Sequence, residues 1–418
     1  MSIGPVRGSF RRAWRDLVMR EDLTSRILMV AGERSGDLHG AELAGALKQI
    51  LDGVEVWGCG GEAMRQAGVD LVADLRDFAM VGITEVVAGL PRARRAFNAL
   101  LRAADRRRPE LAVLIDAPSL NLRLARRLKG RGIPVAYYVS PQIWAWKKWR
   151  MRHLQKRVDK MLCIFDFEEE IYRRAGVPVE YVGHPMLDRP EIAAPSLSRD
   201  AFFARAGLDP TLPLIALLPG SRESEVRYIL PGLVDAARAL RRRAGDKRPQ
   251  FVLPVAATLD AAGIETRLSE MGAGRGLITA LTDATHDALR YADAAVVASG
   301  TATLEAALLG CPMVVVYRLA PSTAFLARFM IDVPHYSIVN LLARKRAVPE
   351  LIQDDFTGER VADEVERLLA SLEARAGMLA DFHRVRARLG PGGAAFRAAG
   401  AIARMLQPQL RSEAALAQ

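Results

Sequence analysis

The sequence predicts an α/β fold with two Rossmann-like, doubly wound domains that face each other across a cleft. Short apolar runs alternate with helical patterns along most of the chain, which is typical of parallel sheets covered by helices. This alternation stops at a proline-rich interval and then starts again. The length of 418 residues is enough for two or three domains of about 100–200 residues each.

The predicted organisation has five parts. They are a basic extension (1–24), a first Rossmann-like domain (25–187), a linker (188–198), a second such domain (199–385) and C-terminal helices (386–418). The C-terminal helices are expected to pack on the first domain or on a partner chain. The extension lacks the run of about 7–15 apolar residues of a secretory signal, and Met19 is a second candidate start. No stretch reaches the roughly 18 apolar residues of a membrane-spanning helix.

The first domain begins with a predicted strand, a glycine-rich loop and a helix. Its strands are predicted at 26–31, 54–58, 111–115, 135–139 and 160–164. The loop, 32–40, carries the candidate residues Glu33, Ser35, Gly36 and His39. It does not match a dinucleotide or P-loop pattern, and a loop that caps the helix through Ser35 or Asp37 is the alternative. The glycines at 58–61 are interpreted as a plain turn.

Two further candidates follow later strands of this domain. Asp116 comes directly after the apolar run 111–115, where a rigid, partly desolvated carboxylate would suit a general base. A carboxylate that caps the next helix is the alternative. Ser140 opens a segment of tryptophans and cations, 140–150, which is interpreted as core with an exposed basic face.

In the second domain, strands are predicted at 214–218, 251–254, 277–280, 294–297 and 313–316. Gly220, Ser221 and Arg222 follow the first of them. The glycine would let a ligand approach the backbone closely, and the planar guanidinium suits a diphosphate. A surface arginine is the alternative.

The segment 299–312 follows the apolar run 294–297 and precedes the apolar run 313–316. This order predicts a strand, a glycine turn, a helix and a strand, and the rest of the site is organised around it. Ser299 and Gly300 form the turn, Thr301 or Thr303 can cap the helix, and Glu305 can accept hydrogen bonds from a sugar diol. Helix starts of this kind bind phosphate, although an ordinary capped βαβ turn fits as well. Ligands of doubly wound sheets bind beyond the carboxyl ends of strands, and the candidates lie there.

Charge and composition restrict the partners. The net charge of +11 favours nucleic acid, an acidic lipid surface or phosphorylated substrates. Cys59, Cys163 and Cys311 are predicted to be buried thiols of a reducing compartment. The sequence has no D-x-D, H-E-x-x-H or EF-hand loop, so we predict neither a metal site nor a cofactor.

Several stretches together resemble the lipid-A-disaccharide synthases. They are GERSGDLHG (32–40), VGITEV (81–86), IDAP (115–118), YVSP (138–141), WAW (144–146), GHP (183–185), LLPGSRESE (217–225), ASGTATLE (298–305) and NLL (340–342). The resemblance implies the glycosyltransferase-B fold and an inverting transfer from UDP-diacylglucosamine to diacylglucosamine 1-phosphate. It also implies peripheral attachment to the cytoplasmic face of the inner membrane.

The same resemblance implies roles for single residues. Asp116 would be the base, Arg222 the cation on the diphosphate, and Glu33, Ser35 and His39 part of the acceptor-side loop. Glu305 and Asn340 would belong to the donor pocket. The sequence departs from the family pattern at Arg34 and at Ser119-Leu120, which puts acceptor or acyl-chain preference in doubt.

A membrane-contact segment is predicted at 78–95. Its apolar residues include Met80, Val81, Val86 and Leu90, and Arg92, Arg94 and Arg95 follow. The pattern is typical of a helix lying in a bilayer interface, with packing of the apolar residues onto the sheet as the alternative.

Two other functions stay open at this point. One is another nucleotide-sugar enzyme, such as the transferase of peptidoglycan lipid II synthesis or a UDP-sugar epimerase. The other is a non-catalytic nucleic-acid-binding protein, which the charge alone would allow. The preferred interpretation has no nucleic-acid partner and leaves a homodimer open.

Overall fold

The structure is a computed structural model that describes residues 25–78, 83–141, 151–245, 248–274, 276–320 and 335–416. Side chains are described for all of these except 83–89 and 407–416. The chain divides into two compact units. The first holds the described residues up to Pro185 and those from Pro391 onward, and the second runs from Met186 to Gly390.

The first unit is built on a seven-stranded parallel sheet with the order β3-β2-β1-β4-β5-β6-β7. The strands are β1 (Arg26–Ala31), β2 (Glu55–Gly60), β3 (Asp70–Asp74), β4 (Leu111–Ile115), β5 (Val135–Tyr138), β6 (Lys160–Cys163) and β7 (Val179–Tyr181). The helices between them are α1 (Arg34–Ile50), α2 (Glu62–Gln66), α3 (Ile83–Arg107), α4 (Pro118–Lys129), α5 (Met151–Arg157) and α6 (Asp166–Arg174). The strand order reverses between β1 and β4, which makes their carboxyl ends the switch point of the sheet.

The second unit repeats this arrangement with a six-stranded parallel sheet in the order β10-β9-β8-β11-β12-β13. The strands are β8 (Leu214–Leu218), β9 (Gln250–Val255), β10 (Ile278–Thr282), β11 (Ala294–Ala298), β12 (Met313–Tyr317) and β13 (Glu350–Ile352). The helices are α7 (Pro190–Ala193), α8 (Arg199–Ala206), α9 (Glu223–Arg243), α10 (Ala261–Glu270), α11 (Thr285–Tyr291), α12 (Thr301–Leu308), α13 (Ile338–Ala343), α14 (Gly358–Ala370) and α15 (Leu372–Arg388). Its switch point lies between β8 and β11.

The last helix, α16 (Ala394–Leu416), returns to the first unit and packs against α1. Arg397 Nε donates to the carbonyl of Val182 at 2.8 Å. Arg404 Nη2 binds Glu180 Oε1 at 2.6 Å. These contacts attach α16 at the end of β7 as well as on α1.

Both sheets are buried on two faces, as parallel sheets require. All five residues of β4 and all five of β8 and β11 are buried. In the first unit, Trp57, Tyr137 and Tyr172 are large side chains with no exposed surface. The predicted α/β class with two parallel sheets is confirmed.

Several local predictions are wrong. Residues 32–40 are not a loop, because α1 begins at Arg34. The glycines at 58–60 lie in β2 rather than in a turn. The amphipathic pattern of residues 90–107 predicts a helix over that range, but α3 begins at Ile83. The helical pattern of 360–405 predicts one interruption, at the glycines after residue 389, whereas the structure has three helices there, α14, α15 and α16.

The loop was predicted from glycines whose role in the structure is to let α1 pack closely on its neighbours. A Cβ on Gly36 would lie 3.3 Å from Ala31 Cβ, and one on Gly40 would lie 2.6 Å from Met64 Sδ. The helix therefore needs glycine to approach β1 and α2 closely.

The predicted linker, 188–198, is ordered. It contains α7, and the backbone N–H groups of Ser196 and Leu197 donate to the Asp287 carboxylate at 2.9 and 3.1 Å. These residues lie within the second compact unit.

The three cysteines are buried, unpaired thiols, as predicted. Burial raises the pKa of all three, that of Cys311 to about 12. They are therefore protonated at neutral pH.

Candidate functional site

Candidate residues of the first unit gather at its switch point. Ala31, the last residue of β1, pairs with Ile115, the last residue of β4, so Glu33 and Asp116 follow neighbouring strand ends. A Cβ on Gly32 would lie 2.8 Å from the Cβ of Ala117. Glycine is required at this position because the two connections nearly touch.

The backbone at Asp116 is left-handed. Asp116 has φ 46° and Ala117 has φ 42°, and Val139, just past the neighbouring β5, has φ 61°. Left-handed backbone is unfavourable for residues with a Cβ, most of all for a β-branched one. Such strain concentrates at functional sites, and here it lies at two adjacent strand ends.

Two side chains bind the carbonyl of Asp116. Asn121 Nδ2, in the first turn of α4, donates to Asp116 O at 2.8 Å and to Ile115 O at 2.9 Å. Tyr137, in β5, donates its hydroxyl to Asp116 O at 2.5 Å. Neither residue is a polar group at a strand end, so the sequence analysis missed both.

The start of α1 presents a mixture of exposed and buried candidates. Glu33, which precedes the helix, and Ser35 are exposed, whereas Gly36 and His39 are buried. His39 Nδ1 lies 3.7 Å from Glu42 Oε2, and the rings of His39 and Tyr138 form a T-shaped pair with a centroid distance of 6.3 Å. His39 therefore lies close to β5 as well as on α1.

Asp37 caps a different helix from the one expected. It lies inside α1, and its carboxylate accepts from the N–H groups of Gly61, Ala63 and Met64 at 2.7–3.1 Å. These groups belong to the start of α2, so Asp37 has a structural role.

Ser140 is buried, and its hydroxyl donates to Glu168 Oε1 at 2.6 Å. Glu168 is itself buried. The next residue is fixed as well, because Tyr172 donates its hydroxyl to Pro141 O at 3.0 Å. Ser140 thus anchors the chain beyond β5. The rest of that segment, 142–150, lies outside the described residues.

In the second unit, Gly220, Ser221 and Arg222 follow β8 as predicted, but a protein side chain fills the space at the glycine. Glu225 Oε2 accepts from the N–H groups of Ser221 and Arg222 at 2.9 and 3.2 Å, and a Cβ on Gly220 would lie 2.3 Å from that oxygen. Gly220 has φ 111°, so a residue with a side chain would also be strained. Glu225 thus approaches the backbone closely at Gly220, and close approach of a ligand there stays a prediction.

Arg222 also binds Glu225 through its side chain. Its Nη1 lies 3.1 Å from Glu225 Oε1, and the Arg222 side chain is 69% exposed. Tyr317, at the end of β12, lies near this pair: burial, and then the charge of Glu225, raise the pKa of Tyr317. Its phenol is therefore protonated at neutral pH and can donate a hydrogen bond.

The start of α12 differs from that of α9. Gly300 precedes it, and within the described part of the chain no side chain caps its first turn. The expected cap is wrong: Thr303 is buried and donates its hydroxyl to Gly300 O at 2.7 Å, while Thr301 is exposed. Ser299 donates to Tyr336 O at 3.1 Å. An uncapped helix start favours an anion.

Glu305 lies in α12 with two basic neighbours. Its Oε1 is 3.5 Å from Arg189 Nη1 and 3.9 Å from His286 Nε2. The Glu305 side chain is largely buried, with 15% exposed. Sequence reasoning missed both residues, because Arg189 lies in the predicted linker and His286 belongs to no recognised motif.

Asn340 is fully buried, and its side chain binds within the protein. Its Nδ2 donates to Val348 O and Glu350 Oε1, and its Oδ1 accepts from Val348 N, at 2.8–2.9 Å. Glu350 in turn accepts from the N–H groups of Tyr336 and Ser337 at 3.2 and 2.8 Å. Asn340 thus supports the segment that Ser299 contacts.

The predicted membrane segment is described only in part. Met80 and Val81 lie outside the described residues, and the side chain of Val86 is not described. Leu90 is 57% exposed, and Arg94 and Arg95 are exposed. Arg92 Nε binds Asp77 Oδ1 at 2.6 Å. None of the described helices has the length and apolar character to cross a membrane.

No group of three or more His, Cys, Asp or Glu side chains in the described ranges is arranged to hold a metal ion.

Comparison with sequence families identifies the relatives of the chain. Residues 27–387 match the family model described as lipid-A-disaccharide synthetase. The lipid-A-disaccharide synthase of Myxococcus xanthus is 45% identical over 386 residues, which is 92% of this chain and 98% of the relative. That of Koribacter versatilis is 44% identical over 387 residues, 91% and 99% of the two chains.

Comparison with solved structures supports the fold. The calicheamicin glycosyltransferase CalG4 matches with a TM-score of 0.56 and 14% identity over 93% of this chain and 99% of its own. The UDP-GlcNAc 2-epimerase of Neisseria meningitidis matches with a TM-score of 0.55 and 12% identity over 87% and 99%. A transferase and an epimerase share the architecture, so these matches establish the glycosyltransferase-B-like fold alone.

Proposed function

This chain belongs to the lipid-A-disaccharide synthetase family, and from that membership we propose that it joins two diacylglucosamine units into the lipid A disaccharide. It transfers 2,3-diacylglucosamine from its UDP derivative to the 6-hydroxyl of 2,3-diacylglucosamine 1-phosphate, with release of UDP and formation of a β-1,6 link. The family match over residues 27–387 carries this proposal.

Asp116 is the proposed general base. The carboxylate takes the proton from the acceptor hydroxyl while that oxygen forms its bond to the anomeric carbon of the donor. The bond from that carbon to the UDP oxygen breaks, and inversion follows from attack opposite the leaving group. The half-buried, left-handed position of Asp116 at a switch point supports this role. We assign Glu33, Ser35 and His39 to the acceptor side.

The second unit is proposed to bind the UDP part of the donor. Negative charge grows on the β-phosphate as UDP leaves, and preorganised positive groups stabilise it. The uncapped start of α12 and the exposed guanidinium of Arg222 supply such groups without a metal ion. Glu305 is proposed to accept from the ribose diol, and Asn340 to hold the neighbouring segment in place.

We also propose that the protein attaches to the surface of an anionic membrane, because both substrates carry acyl chains. Leu90, Arg94 and Arg95 offer one exposed apolar and two exposed cationic side chains on α3. Arg92 forms an ion pair with Asp77, which partly neutralises its charge toward a membrane surface. We likewise propose that the protein is located on the cytoplasmic side of that membrane and that it forms a homodimer.

One assay tests the reaction. Purified protein is incubated with UDP-diacylglucosamine and diacylglucosamine 1-phosphate, and UDP and lipid products are quantified. The expected result is one UDP per disaccharide. UDP release without the disaccharide, or activity only with a peptidoglycan lipid acceptor, would contradict the proposal.

A further inference from the structure

We propose that Asn121 and Tyr137 are positioning residues that fix the direction of the Asp116 carboxylate. This inference rests on the proposed function, in which Asp116 is the base. The two side chains come from different elements, α4 and β5, and converge on one oxygen, the carbonyl of Asp116, at 2.8 and 2.5 Å.

We call the two hydrogen bonds from Asn121 and Tyr137 to Asp116 O the clamp. By fixing this carbonyl, the clamp fixes the backbone of Asp116 and with it the direction of the Asp116 side chain. The orientation of the Asp116 peptide depends on ψ of Asp116 and φ of Ala117, and both residues have left-handed φ values. A left-handed residue projects its Cβ in a different direction from an extended one at the same strand end. Loss of the clamp would let this connection relax toward ordinary backbone, which would turn the carboxylate away.

Several energetically unfavourable features lie together around Asp116, which indicates that this part of the structure serves function as well as stability. Asn121 is fully buried, and its Oδ1 has no hydrogen-bond partner among the residues that the structure describes. A buried acceptor without a donor is unfavourable, as is left-handed backbone at Asp116, Ala117 and Val139. Selection for folding alone would not favour several unfavourable features at one place, whereas active sites often contain them.

Asn121 also binds the residue before Asp116, which is the last residue of β4. Its Nδ2 binds Ile115 O at 2.9 Å, and the N–H of Asp116 donates to Tyr138 O at 3.0 Å. The residue before Asp116 and Asp116 itself are therefore tied to α4 and β5 at several points. Asn121 and Tyr137 are the members of this set whose side chains can be replaced without changing the backbone.

The test compares Asn121→Leu, Tyr137→Phe and the double variant. Leucine has a similar volume and also removes the buried Oδ1, so the melting temperature should change by only a few degrees. We expect kcat to fall about 10–100-fold for Asn121→Leu and several-fold for Tyr137→Phe, because small misplacements of a reacting group have effects of this size. The KM values and UDP affinity should stay within about twofold, a split that general damage to the fold would not produce.

Tyr291→Phe is the matched control, since Tyr291 also donates its hydroxyl to a backbone carbonyl, that of Leu197 at 2.6 Å, and has no role in the proposed reaction. It should keep the wild-type kcat. Wild-type kcat in both Asn121→Leu and Tyr137→Phe overturns the inference, as does a loss that appears only in KM. If Asn121→Leu does not fold, Tyr137→Phe decides alone. Activity in Asp116→Asn would refute the base instead, and absence of disaccharide from the wild type would refute the proposed function.

Discussion

The carboxylate of Glu225 binds Arg222 twice, through the backbone N–H at 3.2 Å and through the guanidinium at 3.1 Å. With the N–H of Ser221, it occupies groups at the end of β8 that an incoming diphosphate could otherwise use. A phosphate that approaches these N–H groups therefore meets a carboxylate of the protein that already accepts from them.

Arg222→Ala should lower kcat by about 10²–10³-fold, the usual loss for one donor to a transition state. Steady-state kinetics on the folded variant measure this. Arg267→Ala is the control, because Arg267 also binds a first-turn glutamate of α9, Glu223, but belongs to α10. Near-normal turnover of Arg222→Ala would remove it from the mechanism.

Glu225→Gln should tighten UDP binding, because the amide can still accept from Ser221 N–H while the competing charge is gone. The gain should not exceed about fivefold, since Arg222 is largely exposed and an ion pair of a solvent-exposed arginine contributes roughly 0–1 kcal/mol. Calorimetric titration with UDP gives the affinity. Glu223→Gln, with the same loss of charge in the same helical turn, should change it less. Weaker UDP binding by Glu225→Gln would mean that Glu225 presents Arg222 rather than competing for it.

Asp116→Asn should reduce turnover about 10²–10⁴-fold if the carboxylate is the base, with nearly unchanged UDP affinity. Single-turnover kinetics and UDP titration separate the two effects. Asp105→Asn is a suitable control, since Asp105 is exposed and pairs with Arg131 on the same unit. Lost UDP affinity with intact chemistry would make Asp116 a binding residue.

Activity should survive EDTA, because the proposed leaving-group stabilisation uses Arg222 and a helix start. Initial rates with and without chelator measure this. Inhibition by EDTA that added magnesium or manganese reverses would show that the reaction needs a metal ion.

Replacing Val81, Val86 and Leu90 together with serine should weaken binding to anionic liposomes and raise the apparent KM for the lipid substrates. The basis is the apolar and cationic pattern of the segment, in which each arginine near an anionic surface adds about 1 kcal/mol. Leu372→Ser is the control, because Leu372 is 84% exposed but lies in the second unit. Unchanged sedimentation with liposomes, or unfolding of the triple variant, would favour packing of these residues in the core.

The sequence predicted the α/β class because strands that alternate with helices form parallel sheets covered by helices on both faces. It also located Asp116, Arg222 and Ser299, since polar residues directly after buried strands are visible without coordinates. It did not predict Asn121, Tyr137 or Glu225. The partners of Asn121 and Tyr137 are carbonyl groups at the end of β4, and no local pattern records which carbonyl a side chain will meet. Glu225 is different, because it lies in the first turn of α9 and accepts from the N–H groups of Ser221 and Arg222 just before it. That is a local capping pattern, which the sequence analysis overlooked.

The error at residues 32–40 has a related cause. Glycine usually disfavours a helix, so three glycines in nine residues predicted a loop. In the structure, the close contacts of Gly36 and Gly40 with β1 and α2 outweigh that preference. Local propensity was overridden by packing that the sequence alone does not reveal.

The packing of α16 on α1 has a consequence for synthesis on the ribosome. The chain from Met186 to Gly390, which forms one compact unit, is complete before α16 exists. The surface of α1 that contacts α16 stays uncovered until residues 394–416 have been made. The time between the synthesis of α1 and that of α16 is roughly 15–70 s at the usual rate of translation. The earliest part of the chain to emerge is thus among the last to be finished, and a chaperone that shields α1 would act during that interval.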